Sequence, residues 1–223
     1  MLGGAAVAEY SYYVLFSVPL TIGCLVCMII GAAIFQIPTF ATNKRRQRAI
    51  VEGGYTGVEK LLKEKMATSR AVYLPPNEGV FLVYVPVGNE TETMEKVKSL
   101  KEAVEADLKG NGLIFPAPGS VVIKEASKSG EKDVYELLRM VLVDSLGAIE
   151  SVSITARQED ITLIMTKPWR LKDRPLCEAS LGSPPVSVAG SILSASYKSL
   201  VALEGENDSD SGLEAHFKII KNR

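Results

Sequence analysis

The run from Tyr10 to Asn43 contains no charged side chain and constrains this chain more than any other feature. Its most apolar part, Leu20 to Ile37, would span roughly 27 Å as a helix, which matches the hydrocarbon thickness of a bilayer. Pro19 and Pro38 bracket that part, and proline is tolerated beside helix ends. The whole run is too short for two spans and a turn. We therefore predict one transmembrane helix, with residues 12–40 in the lipid bilayer.

The flanking charges indicate the orientation of this helix. Only Glu9 and the amino terminus carry charge before the run, whereas a basic cluster follows it at Lys44, Arg45, Arg46 and Arg48. Lys and Arg favour the cytoplasmic flank, so we expect a single-pass protein of the cell membrane with its N-terminus outside. Two alternatives stay open, namely a buried core helix and a lipidated N-terminus at Cys24.

Composition limits what the rest of the chain can be. The chain has 223 residues and a formal net charge of −1, which gives no electrostatic footprint for nucleic acid. Its three cysteines do not make a disulfide framework. We expect an N-terminal segment with the transmembrane helix at residues 1–43 and a juxtamembrane helix or linker at 44–69. A cytoplasmic domain should occupy 70–223, with a candidate sub-boundary near residue 110.

The first half of this domain mixes strands and helices. Apolar spacing predicts a helix over residues 44–68 and an amphipathic helix from Asn89 to Leu108, with Val97, Val104 and Leu108 in its apolar stripe. Prolines and a glycine separate two strands, Ala71–Leu74 and Gly79–Val87. Further along we predict strands at 113–115 and 121–123 and a helix at 131–146. A duplication of residues 71–108 in 113–146 stays open.

The second half is dominated by hairpins. Alternating apolar residues predict one hairpin from Ile149 to Lys167 and a last one from Leu200 to Ile220. Between them we expect an irregular segment, Pro168–Pro185, and a helix of small residues, Val186–Tyr197. Since no helix reliably joins parallel strands, the fold class is α+β, with helices packed on one face of an antiparallel sheet.

Two groups of residues are candidates for binding. The loop that carries the only tryptophan is basic, and tryptophan and arginine are enriched at interaction hot spots. Its predicted partner-binding residues are Trp169, Arg170, Lys172 and Arg174. Trp169 capping the core is the equal alternative. A proline-led helix start also exposes backbone N–H groups to anions. The predicted ligand-binding residues there are Ser187, Gly190 and Ser191, together with Arg170 and Lys172.

Catalytic and cofactor chemistry has little support in the sequence. His216 is the only histidine, and strand alternation puts it on the wetter face. One histidine and one cysteine, Cys177, in the domain are too few for a zinc site without two carboxylates. We predict no catalytic residues, no metal and no cofactor.

Two short segments carry a resemblance. At Val72–Pro76 (VYLPP) and Pro184–Ser196 (PPVSVAGSILSAS), the chain resembles uncharacterised archaeal membrane-anchored proteins with a cytoplasmic α+β domain. That resemblance implies a fold and an anchor, and it implies no activity and no functional residues.

These observations give three functional hypotheses. The first is a membrane-anchored domain that binds a membrane-associated protein or assembles with itself, without catalysis. The second is a regulatory domain that senses an anion or nucleotide between the basic loop and the helix start at 183–191. The third is an enzyme whose site the sequence does not reveal.

Overall fold

The computed structural model describes residues 44–87, 99–127, 133–171, 173–210 and 212–220. The chain divides into two compact units, Met1–Arg46 and Gln47–Arg223, and the second holds the sheet and the helices that pack on it. The predicted transmembrane helix lies outside the described residues, as do residues 88–98. Among the residues that are described, no helix combines the length and the apolar character needed to cross a bilayer.

Within the described part of the chain, seven strands form one antiparallel sheet in the order β3-β2-β1-β6-β7-β5-β4. The strands are β1 (Val72–Asn77), β2 (Val80–Pro86), β3 (Gly112–Pro116), β4 (Ser151–Arg157), β5 (Asp160–Thr166), β6 (Leu200–Ser209) and β7 (Gly212–Ile220). The predicted hairpins are confirmed, because β1 pairs with β2, β4 with β5 and β6 with β7.

Strand alternation assigns each face of the sheet. In β7, Leu213, Ala215 and Phe217 are buried, whereas Glu214 and His216 are only half-buried on the other side. This period of two is what a strand with one core-facing side requires. The same pattern in β5 turns Ile161, Leu163 and Met165 toward the main core.

Most helices cover that core face. They are α1 (residues 44–65), α3 (Ser120–Ser127), α4 (Val134–Leu138, continued by a π-helical segment Arg139–Ser145), α5 (Pro175–Leu181) and α6 (Pro184–Tyr197). The start of α6 is buried on all sides, since every residue from Pro184 to Ser194 is inaccessible to solvent. Small residues permit this close packing: a Cβ on Gly190 would lie 2.4 Å from the Tyr73 ring.

One helix lies on the opposite face, which corrects the expectation that helices occupy one face only. Helix α2 (Leu100–Leu108) packs Ala103 and Ala106 into a second cluster with Val72 and Tyr84 of the sheet. The predicted apolar stripe of this helix is also wrong in part, because Val104 is 42% exposed and Leu108 is 81% exposed. Among the described side chains of this helix, Ala103 and Ala106 face the strands.

Two segments have a different secondary structure from the one predicted. Residues 121–123 belong to helix α3 instead of a strand: Val122 and Ile123 are both buried while Val121 is exposed, which fits helical and not alternating geometry. The irregular segment Pro168–Pro185 contains helix α5, which starts at Pro175. Because residues 71–108 contain a β-hairpin and residues 113–146 contain one strand followed by helices, the two segments do not repeat one architecture.

Candidate functional site

Trp169 lies at the start of the basic loop and is fixed by contacts from two directions. Its backbone N–H donates to the Ala148 carbonyl at 2.6 Å, and its half-buried ring packs on the main core. The guanidinium carbon of Arg48 lies 5.4 Å from the ring centroid, within the range of a cation–π interaction. Trp169 therefore holds the loop against the domain. This is the core-capping alternative given in the sequence analysis.

Arg48 belongs to helix α1 and reaches a second target. Its Nε donates to the Leu146 carbonyl at 2.9 Å, and its Nη2 donates to the Gly147 carbonyl. These carbonyls end the π-helical segment, where a cation interacts favourably with groups that lack helical partners. The segment predicted as a juxtamembrane helix or linker thus contributes, from residue 47 onward, contacts within the domain itself.

Arg170 and the start of helix α6 meet at one carboxylate. The Ser183 N–H donates to Oε2 of Glu206 at 2.8 Å, and Arg170 lies 3.9 Å from Oε1 of the same side chain. Arg170 also forms an ion pair with Asp208 on β6. The structure thus brings together the basic loop and the helix start that were predicted from the sequence to bind an anion. The anion between them is Glu206, which the sequence analysis did not assign to this site.

Burial raises the pKa of the Glu206 carboxyl, while the Ser183 N–H and Arg170 oppose that rise. This is the expected balance for a carboxylate moved out of water against a helix start and an arginine. The other nominated ligand residues face inward: Ser187, Gly190 and Ser191 are buried, and the Ser191 hydroxyl donates to the Ser187 carbonyl. An external anion at this helix start would have to replace Glu206.

Arg174 lies at the other end of the loop. Its Nη1 donates to the Asp173 carbonyl at 2.7 Å, and its Nη2 donates to the Thr56 hydroxyl at 3.3 Å. A cavity of about 280 Å³ opens beside it, lined by Glu52, Thr56, Leu171 and Arg174. Lys172, the remaining residue predicted for this loop, lies outside the described residues.

Helix α5 connects this loop to α6 and is held at both ends by side chains from distant elements. At its start, Glu59 accepts the N–H groups of Leu176 at 3.3 Å and Cys177 at 2.8 Å. At its end, the Tyr73 hydroxyl donates to the Leu181 carbonyl at 2.7 Å and the Tyr55 hydroxyl to the Gly182 carbonyl at 3.3 Å. Sequence reasoning missed these residues, since the only local signal was a proline at the first helical position.

The residues with nucleophilic or acid–base chemistry lie apart. Cys177 is buried in the core on the helical face, and its thiol donates to the Tyr55 carbonyl at 3.4 Å. Burial, reinforced by Glu59, raises the pKa of this thiol far above its ordinary value, so the thiolate is disfavoured. His216 lies on the opposite face of the sheet, with Nδ1 3.4 Å from the Thr162 hydroxyl and Nε2 3.7 Å from Glu214. In the described ranges, no cluster of three or more His, Cys, Asp or Glu residues is arranged to hold a metal ion.

Comparison with protein-family models, curated protein sequences and solved structures found no match for this chain. The function is therefore inferred from the sequence and the geometry.

Proposed function

We propose that this chain is a single-pass membrane protein whose C-terminal domain lies in the cytoplasm and acts through protein contacts. The support for the anchor is the uncharged run Tyr10–Asn43 followed by the basic cluster that begins at Lys44. An anchor of this kind confines the domain to two dimensions and raises its effective concentration for neighbouring membrane proteins.

The observation that carries the contact role is the geometry of the described residues of the loop, 167–171 and 173–174. Trp169 pins one end through Ala148 and Arg48, and the Glu59 carboxylate pins the helix that follows. Between these points, Arg170 and Asp173 are exposed and Leu171 is half-buried. A loop that is already ordered loses little conformational entropy when a partner binds it. Arginine next to apolar surface is a favoured composition for such contacts.

The same geometry favours contact over anion sensing. A small anion at the start of α6 would compete with Glu206, which is covalently part of the chain and already accepts the Ser183 N–H. It favours contact over catalysis by a Cys–His device because the sheet separates buried Cys177 from His216. Neither alternative has an arrangement of side chains comparable to the fixed loop.

Site-specific photo-crosslinking tests the contact role. A photoreactive residue at Leu171, in the full chain in its native membrane, should give a defined protein adduct. The same residue at Glu64, on the exposed side of α1, is the matched control and should not. Arg174→Glu should reduce the Leu171 adduct while leaving the circular dichroism spectrum unchanged. Equal adducts at both positions, or none at Leu171, would contradict the proposal.

Glycosylation tests the proposed topology. Asn207 lies in the sequon Asn207-Asp208-Ser209 and is exposed on β6, so an oligosaccharyltransferase on the same side of the membrane would reach it. We expect no sugar there when the full chain is inserted into glycosylating microsomes, and we expect a sequon engineered before Tyr10 to be modified. Sugar on Asn207 would reverse the orientation. If alkaline carbonate extracted the full chain from the membrane, this result would contradict the proposed transmembrane anchor.

A further inference from the structure

The two edges of the sheet differ in how their backbone groups are occupied. At the β3 edge, the bonds from Val87 N to Asn111 O and from Ala117 N to Phe81 O set the register, so Ile114 and Pro116 turn their backbones outward. The outward N–H of Ile114 donates to Oδ1 of Asp107 at 3.2 Å. Pro116 has no N–H to offer. This edge is therefore closed to a further strand.

Among the residues that the structure describes, no strand pairs with the outer edge of β4. The turn at residues 158–159 joins the pair Arg157↔Asp160, which points the backbones of alternate residues, Val152, Ile154 and Ala156, away from β5. Within the described ranges, no group donates to or accepts from these three residues. No proline or lysine interrupts β4, although natural edge strands usually carry such protection.

We propose that β4 pairs antiparallel with β4 of a second copy of this chain, about a two-fold axis at Ile154. In that register Ile154 lies opposite Ile154 of the second copy, and Val152 lies opposite Ala156. Both pairs extend the core-facing side, where Ile154 is half-buried and Ala156 is exposed in the single copy. On the other side Ser153 lies opposite Thr155, a favourable cross-strand pair. The outward N–H and C=O groups of β4 find partners across the axis.

Charge complementarity selects this orientation. Glu150 precedes β4 and Arg157 ends it, so in this register Arg157 of each copy lies opposite Ser151 of the other, one residue along the chain from Glu150. Parallel pairing would place like charges together, which is destabilising. Lys167 already lies 2.9 Å from Glu150, and both side chains are exposed enough for Arg157 to join them. Of the loop at residues 167–174, only Lys167 borders this edge, through its ion pair with Glu150. The interface therefore goes beyond the partner contact proposed above at Trp169–Arg174 and can fail without it.

A proline at the centre of the edge tests the pairing. The outward N–H of Ile154 is not used by β5, so Ile154→Pro removes a donor at the two-fold axis while keeping the ladder to β5. Light scattering on the full chain in detergent should give a dimeric protein mass for the wild type and for the control Ile154→Val. It should give a monomeric mass for Ile154→Pro, with an unchanged circular dichroism spectrum. A monomeric wild type over a dilution series, or a dimeric Ile154→Pro, would overturn the proposal.

Charge reversal provides a second test that does not alter the backbone. Arg157→Glu should weaken self-association about tenfold, because each dimer contains two such pairs. The double variant Glu150→Lys/Arg157→Glu should restore it. If Arg157→Glu leaves the dissociation constant unchanged, or the double variant stays as weak, this register is excluded. Loss of the Leu171 adduct with an intact dimer would instead affect only the proposed partner contact.

Discussion

Strands β3 and β4 form the two edges of the same sheet, but they differ in whether side chains and proline protect their outward backbone groups. At β3, a carboxylate from helix α2 accepts the exposed N–H of Ile114, and proline removes the next donor. At β4, no proline or lysine interrupts the strand, and the outward backbone groups of Val152, Ile154 and Ala156 have no partner among the described residues. Specific residues protect the β3 edge, and the described residues give the β4 edge no such protection, which is why we propose that β4 pairs with a second copy. The four predictions below test this contrast, from the largest expected effect to the smallest.

The largest change in the free energy of unfolding is expected for a substitution of Gly112, at the closed β3 edge. A Cβ at this position would lie 2.2 Å from the ring of Tyr84, whose side chain is fully buried. Gly112→Ala should therefore lower the free energy of unfolding by about 1–3 kcal/mol in urea denaturation. The matched control is Gly57→Ala on α1, where nothing lies within 4 Å, and a gain of up to about 1 kcal/mol is expected there. Equal changes at both glycines would contradict the close packing at β3.

Asp107 is the residue that closes the β3 edge. Asp107→Ala leaves the Ile114 N–H without its acceptor and should cost about 1 kcal/mol of unfolding free energy. Hydrogen exchange of the Ile114 amide, followed by NMR, should become faster. Asp107→Asn is the control, since its amide oxygen can still accept the bond. An unchanged exchange rate in the alanine variant would show that this edge is not protected by the carboxylate.

Glu206 lies on β6 in the middle of the sheet, away from both edges, and its titration should make the stability of the fold depend on pH. Its raised pKa means that the folded state binds a proton more tightly than the unfolded state. The stability of the wild type relative to Glu206→Gln should therefore rise as pH falls from 7 toward the unfolded-state pKa of the carboxyl group, and this gain should be lost as pH rises through the folded-state pKa. Urea denaturation of both proteins at pH 7 and pH 5 measures this difference. A difference independent of pH would contradict the burial of the ionised group.

Lys167 gives the smallest effect. Its ion pair with Glu150 beside the β4 edge is exposed, with side chains 79% and 61% accessible. Lys167→Ala should change the free energy of unfolding by no more than about 0.5 kcal/mol. Because the change leaves Glu150 available to Arg157 of a second copy, self-association should not weaken. A loss of dimer in this variant would mean that Lys167 itself forms the interface.

The sheet was predictable where a pattern repeats over several residues. The alternation of Leu213, Ala215 and Phe217 predicted both the strand and its buried face. Helix α3 was missed, because three consecutive apolar residues at 121–123 fit a short helix as well as a strand. Helix α5 was missed because its caps come from Glu59 and Tyr73, which are more than a hundred residues away in the chain.

The candidate site shows the same division. Sequence reasoning associated the basic loop with the start of α6, and Arg170 and Ser183 do meet. It did not find Glu206 between them, since no local pattern links a glutamate in the last hairpin to a helix start that is 23 residues away. The role of Arg48 was hidden similarly: in the sequence it is one member of a basic cluster, and only its contacts with Trp169 and Leu146 separate it from the others.

The sequence by itself determined the hairpins, the antiparallel α+β class and the long uncharged run, because periodicity and charge are local properties of the chain. Only the tertiary structure decided which face α2 covers, which carboxylates occupy the starts of α5 and α6, and which edge of the sheet stays open. These depend on pairs of residues far apart in the chain. The contacts between these residues form, and stabilise the fold, only when the strands and helices are packed together.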